Sequence, residues 1–145
     1  MRRLAFVFAA ALVLAGCGGS SASPPTTTTA FDPAQIKSAY EKFFSGQTSV
    51  PDREAVLQDG AKFKSVIQAF ASNPLAKNVS VTVASVKPQG ANDAKVVYTV
   101  KLGNTKLPQQ TGTAVRQNGS WKVGYLGLCK LVELSGTTPA VCKTP

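Results

Sequence analysis

Histidine is absent from the 145 residues, which removes the Ser-His-Asp and Cys-His arrangements, the commonest general base and most zinc sites. Acids are scarce. Sixteen lysines and arginines face seven aspartates and glutamates, a formal charge of +9. Asp32 reads as a helix cap, Asp59 as a turn or cap, Asp93 as a hairpin residue, and Glu41 lies off the apolar stripe of its helix. No acid falls at an expected inward strand position, so no catalytic residue, cofactor or metal site is expected. Cysteine is limited to three residues. The apolar run at residues 4–14 is shorter than the roughly 20 residues that a bilayer crossing needs.

That run is instead a processing signal. Arg2 and Arg3 give a positive start, residues 4–14 an apolar middle, and Ala15-Gly16 a small-residue end before Cys17. Leu12-Val13-Leu14-Ala15-Gly16-Cys17 resembles the lipobox of bacterial lipoprotein signal peptides. The resemblance implies removal of residues 1–16, a diacylglyceryl group and a palmitate-type acyl chain on Cys17, and a lipid-anchored chain at the extracytoplasmic face of the cell membrane. Leu4-Ala5 does not match the polar and aromatic residues that twin-arginine signals place after the pair, so export by the general route is expected. The alternative reading is an uncleaved or ordinary secretory leader with an incidental cysteine.

Cys129 and Cys142 then form an even pair in an oxidising compartment and read as a disulfide that pins residues 135–145 back on the domain, with two free thiols as the alternative. Residues 17–30, rich in Gly, Ser, Pro and Thr, carry no charge and nothing to bury. They read as a tether, either plain or O-glycosylated on its threonines. Fourteen basic residues against seven acids remain once Arg2 and Arg3 are set aside, a balance of +7. The lysines are scattered, with Lys95, Lys101 and Lys122 placed on an outer sheet face: a solvated surface, or attraction to anionic headgroups or acidic wall polymers. Nucleic acid is not an expected partner outside the cell.

Residues 31–134 make one α+β domain. Asp32 caps a helix with Pro33 at its first position, Gln35 completing a capping box and Phe31 stapling onto Ile36. Ile36, Tyr40, Phe43 and Phe44 form its buried stripe, and Ser45-Gly46 ends it. Further helices are expected at about 52–58 and 60–72, the latter burying Phe63, Val66, Ile67 and Phe70. The period then becomes alternating, with Val79, Val81 and Val83 in a first strand and Val96, Tyr98, Val100 and Leu102 in a second. Two more strands are expected at 107–117 and 120–128, joined by a three-residue Gln117-Asn118-Gly119 loop that pairs Val115 with Trp121 and Thr113 with Val123. Trp121, Val123 and Tyr125 would then point inward, with Gly124 and Gly127 letting the strand bend.

Helices followed by such a four-stranded antiparallel sheet resemble the nuclear-transport-factor-2-like or cystatin-like cone, in which a curved sheet wraps a helix. More narrowly, the early helix, Leu57-Gln58-Asp59-Gly60, the Val-rich strand and Asn118-Gly119-Ser120-Trp121-Lys122 resemble the C-terminal domain of the low-molecular-weight antigen family of mycobacteria and their relatives. The resemblance implies fold and an envelope or secreted location, and carries no established chemistry. Tyr40, Tyr98, Trp121 and Tyr125 are the candidate lining of a cone interior that either holds a small apolar ligand or is filled by them. The expected function is a non-enzymatic envelope lipoprotein presenting its domain to an envelope protein, lipid or acidic polymer. Binding of a small molecule or lipid in the cone is the second reading and a ketosteroid-isomerase-like enzyme the third; the oligomeric state stays open.

Overall fold

The computed structural model describes residues 31–133, 136 and 138–143. Helix α1 spans Pro33–Phe44, with the Asp32 carboxylate accepting from the Gln35 backbone N–H at 3.0 Å. Gln35 does not complete the box: its side-chain oxygen accepts the Trp121 backbone N–H at 2.7 Å. Phe31 packs edge-on against Trp121, with ring centres 6.0 Å apart. The start of the helix is thereby tied to the far edge of the sheet.

Helix α2 (Val50–Val56) is capped by Ser49, and a 3₁₀ turn (Gly60–Phe63) leads into α3 (Lys64–Ser72). A second 3₁₀ turn (Pro74–Asn78), capped by Asn73, delivers the chain to the sheet. Strands β1 (Val79–Pro88), β2 (Asp93–Leu102), the two-residue β3 (Thr105–Lys106), β4 (Gln110–Gln117) and β5 (Ser120–Val123) come after it. The order is β1-β2-β4-β5, all antiparallel, with β3 beside β2. This is the expected α+β architecture, a curled sheet wrapped on its helices.

The core lies between α1 and the concave sheet face. Ile36, Phe43, Leu57, Val96, Ala114, Val123 and Leu128 are fully buried, each of the larger ones contributing ~1.5–3 kcal/mol by its removal from water. Leu57 bridges to Val123, and the Gln58 N–H donates to the Val123 carbonyl at 2.8 Å, so the segment after α2 lines the β5 edge.

Two expectations fail. The last hairpin is a two-residue Asn118-Gly119 turn with φ of 52° and 78°, and it sets Arg116 opposite Trp121, Val115 opposite Lys122 and Ala114 opposite Val123. Both residues lie in the left-handed region that such tight turns need. The three-residue loop assumed that β4 turns its larger apolar residue inward. It does the reverse: Gly112 and Ala114 are buried and Val115 only half so, because α1 presses close and a Cβ on Gly112 would run into the Tyr40 hydroxyl. Nor does the last strand reach residue 128. At Gly124 the chain leaves the sheet for helix α4 (Tyr125–Glu133), so Tyr125 is helical rather than an inward strand residue. The short helix α5 (Ala140–Lys143) closes the described chain.

Candidate functional site

The aromatic residues of α1 fill one part of the cone. Tyr40 and Tyr98 lie with ring centres 5.1 Å apart, Phe44 stacks on Tyr98 at 5.6 Å, and the Tyr40 hydroxyl donates to the Thr113 carbonyl at 2.7 Å. Burial pushes the Tyr40 and Tyr98 hydroxyl pKa values up, with Tyr98 adding to the rise at Tyr40. Trp121 is buried against Phe31 with its indole N–H unpartnered, and Tyr125 stacks on Phe63 at 5.3 Å. Each of these four aromatics packs against neighbours in this way, and none of them lines the groove beside them.

An apolar groove of about 620 Å³ lies on the part of the concave sheet that α1 leaves uncovered. Helix α3 supplies Val66, Ala69 and Phe70 from one face, the second 3₁₀ turn supplies Leu75 and Ala76, and the sheet side supplies Val79, Val100, Leu102 and Leu107. Leu131 and Val132 of α4 and Pro139 of the tail close the other side. The size falls within the roughly 300–1,000 Å³ of small-molecule sites. Polar atoms are few. Ser65 and Asn73 stand at the wall, and the Asn73 side chain is already occupied by the Leu75 N–H at 2.9 Å. Leu75 is 67% exposed at the rim.

A disulfide between Cys129 and Cys142, Cα atoms 5.6 Å apart, holds the tail that carries Pro139 to the helix that carries Leu131 and Val132. The cysteine pair read from the sequence is thus part of the groove's construction. Behind Phe70 sits a buried cation. Arg53 is 1% exposed, its guanidinium carbon lies 4.9 Å from the centre of the Phe70 ring, and its Nη2 donates to the Ser45 carbonyl at 2.7 Å. Its Nε and Nη1 have no partner, and burial pulls its pKa down from the usual arginine value.

The acids lie elsewhere. Asp52 accepts from the Ser49 hydroxyl at 2.6 Å and pairs with Lys42 at 2.9 Å; the Ser49 hydrogen bond first, then Lys42, hold its carboxyl below the usual range. Asp59, in a left-handed conformation at φ 51°, exchanges two hydrogen bonds with the Gln117 amide. Among the described residues no carboxylate lines the groove, no cluster of three metal-ligating side chains occurs, and no helix is long and apolar enough to cross a membrane. Cys17, the expected lipidation site, and the tether lie outside the described residues.

Sequence reasoning missed the groove because its walls are aliphatic residues at regular core spacing. The available signals were Leu75 in a Pro-Leu-Ala-Lys turn and Leu107 before Pro108, large apolar side chains outside any strong period.

Helices on a curled antiparallel sheet, with an apolar groove at its open side, define a cone-like α+β domain. The chain belongs to the family described as low molecular weight antigen MTB12, C-terminal domain, which matches residues 29–139. No curated protein matches the chain.

Proposed function

We propose that this chain is a non-enzymatic cell-envelope lipoprotein, anchored by lipid on Cys17 at the extracytoplasmic face of the membrane, whose domain receives an apolar part of another envelope component. The groove of about 620 Å³ carries this reading. Membership of the antigen family favours an envelope or secreted setting, and Leu12-Val13-Leu14-Ala15-Gly16-Cys17 favours the anchor. A groove walled mainly by aliphatic side chains supplies dispersion contact, and among the described residues no carboxylate lines it to serve as a base for the Ser65 hydroxyl.

The size and apolar lining of the groove favour a second, compatible reading, in which the component is a lipid or small apolar molecule. Two measurements test the pair. Cys17→Ala is expected to move the chain from the membrane to the soluble fraction; unchanged partition overturns the anchor. Native mass spectrometry of the protein after exposure to envelope lipid extract is expected to show a bound lipid that Ala69→Trp, filling the groove, removes. A chain that holds nothing, or whose lipid survives Ala69→Trp, overturns the groove reading.

A further inference from the structure

The convex face of the sheet carries a charge arrangement that the groove does not explain. In the β1–β2 register Lys87 stands directly opposite Lys95, and in the β2–β3 register Lys101 stands directly opposite Lys106. Residues directly opposite in an antiparallel pair project from the same face with Cβ atoms about 4.5–5.5 Å apart, and like charges so placed repel. All four lysines are exposed. Among the described residues none has a carboxylate within ion-pair distance: the ion pairs take Lys37, Lys42 and Lys64 on the helical side. Asp93, two residues before Lys95, is the acid that shares this face; it stands opposite Val115 at the same end of the sheet as the Lys87–Lys95 pair, leaving Lys101 and Lys106 at the other end with none of the described acids beside them.

Protection of an edge strand accounts for only part of this. Lysine on an outer strand discourages edge-to-edge pairing, which suits Lys87 on β1. Lys95 and Lys101 belong to β2, which is hydrogen-bonded on both sides. Between the two lysine pairs the face bears Thr82, Ser85, Thr99 and Thr111, with the half-buried Val97 as its apolar member, all of them shorter than the lysines. Lys95 and Lys101 are six residues apart on one strand, roughly 20 Å. No single small anion spans that distance, so the geometry fits an extended anionic surface.

We infer that this outer face docks on anionic lipid headgroups and orients the domain on the membrane. The inference rests on the anchor reading in one respect. Fourteen residues from Cys17 to Phe31 reach at most ~46 Å, which holds the face within range of the bilayer. Docked this way, the domain keeps its groove on the opposite, concave side of the sheet, open to the envelope.

The test uses the chain from Gly18 onward, which keeps every described residue, including the core and both cysteines of the disulfide. Phosphatidylcholine vesicles are compared with vesicles that also contain phosphatidylglycerol. Binding only to the anionic vesicles, weakening as salt rises, is the expected result. Replacing Lys87, Lys95, Lys101 and Lys106 by Gln is expected to weaken it at least ~tenfold, each lysine near such a surface contributing about fivefold. Its melting temperature should not fall, because two repulsive pairs are relieved. The same four positions changed to Arg keep the binding. Lys37, Lys62, Lys64 and Lys130 changed to Gln remove the same charge from the helical side and are expected to leave it within ~twofold.

Equal weakening by both Gln sets reduces the effect to net charge and overturns the inference. So does aggregation of the outer-face variant with vesicle binding intact, which leaves edge protection as the lysines' role. Binding to an acidic polysaccharide without binding to vesicles also overturns it, in favour of a polymer. Because the chain tested lacks Cys17, its outcome is independent of the anchor: membrane partition unaffected by Cys17→Ala would sink the lipoprotein reading and leave the vesicle result standing.

Discussion

Tyr40 joins three elements through one side chain: it belongs to α1, its ring meets Tyr98 of β2, and its hydroxyl donates to the Thr113 carbonyl of β4 at 2.7 Å. That carbonyl also accepts the Gly124 N–H at 2.7 Å. Tyr40→Phe therefore orphans no acceptor, and the expected loss is about 1 kcal/mol in urea unfolding at neutral pH. The same change should act in the opposite direction in alkali. Burial holds the Tyr40 and Tyr98 hydroxyls neutral in the fold, both pKa values being raised, while an unfolded tyrosine ionises near about 10. Their contribution is whole below that pH and drains away as pH climbs through and above it. Tyr40→Phe removes one of the two titrating groups, so its stability should fall less steeply than wild type above about pH 10; parallel slopes would mean that Tyr40 is not the group responsible. Arg53 shows a different residue-scale solution. With no carboxylate bonded to it, its charge is held by one carbonyl at the end of α1 and the face of Phe70, a use of guanidinium that a compact ammonium does not reproduce.

At the scale of elements, the end of β5 decides how the second half of the molecule is built. A Cβ on Gly124 would collide with the side chain and carbonyl of Thr113, so the chain can approach β4 there only as glycine before turning into α4. Gly124→Ala is expected to destabilise by about 1–3 kcal/mol, with hydrogen-exchange protection falling first in α4; an unchanged melting temperature would refute the close approach. This junction also shows where sequence pattern stops being informative. Asp32-Pro33 and the Ile36, Tyr40, Phe43, Phe44 stripe mark α1 without help from the rest of the chain, and the alternation of Val79–Val83 and Val96–Leu102 marks β1 and β2. The β4–β5 register is different. Its inward face is defined by the small residues Gly112 and Ala114, whose fit depends on a helix some seventy residues earlier, as the Tyr40 to Thr113 separation of 73 shows. Helix α4 is hidden for a related reason: Tyr125, Leu128, Cys129 and Val132 have helical spacing, but the alternation of Trp121, Val123 and Tyr125 carries the strand pattern past Gly124, where the structure ends it. Tyr40, Tyr98 and Trp121 are legible in the sequence as inward residues and Tyr125 is not, whereas the groove beside them depends on what α1 fails to cover.

For the molecule as a whole, the groove is walled by segments far apart in the chain and fastened by one bridge. Cys129 and Cys142 are 13 residues apart, and in the chain-entropy account a loop of this size is worth about 3 kcal/mol. Replacing both by Ser is expected to lower unfolding free energy by about that amount and to expose the tail to protease before global unfolding, while the vesicle docking of the outer face persists; a tail that stays protected would show that packing alone holds it. Tryptophan occurs once in the chain. Trp121 is buried edge-on to Phe31, the first described residue of the chain, and holds the Gln35 side chain through its backbone. It sits at the opposite end of α1 from Ser45, about 18 Å along the helix axis. Its ultraviolet emission is thus a native optical gauge of the joint between Phe31 and the sheet: loosening there would redden the light, while a disturbance confined to the Ser45 end of α1 leaves its colour alone.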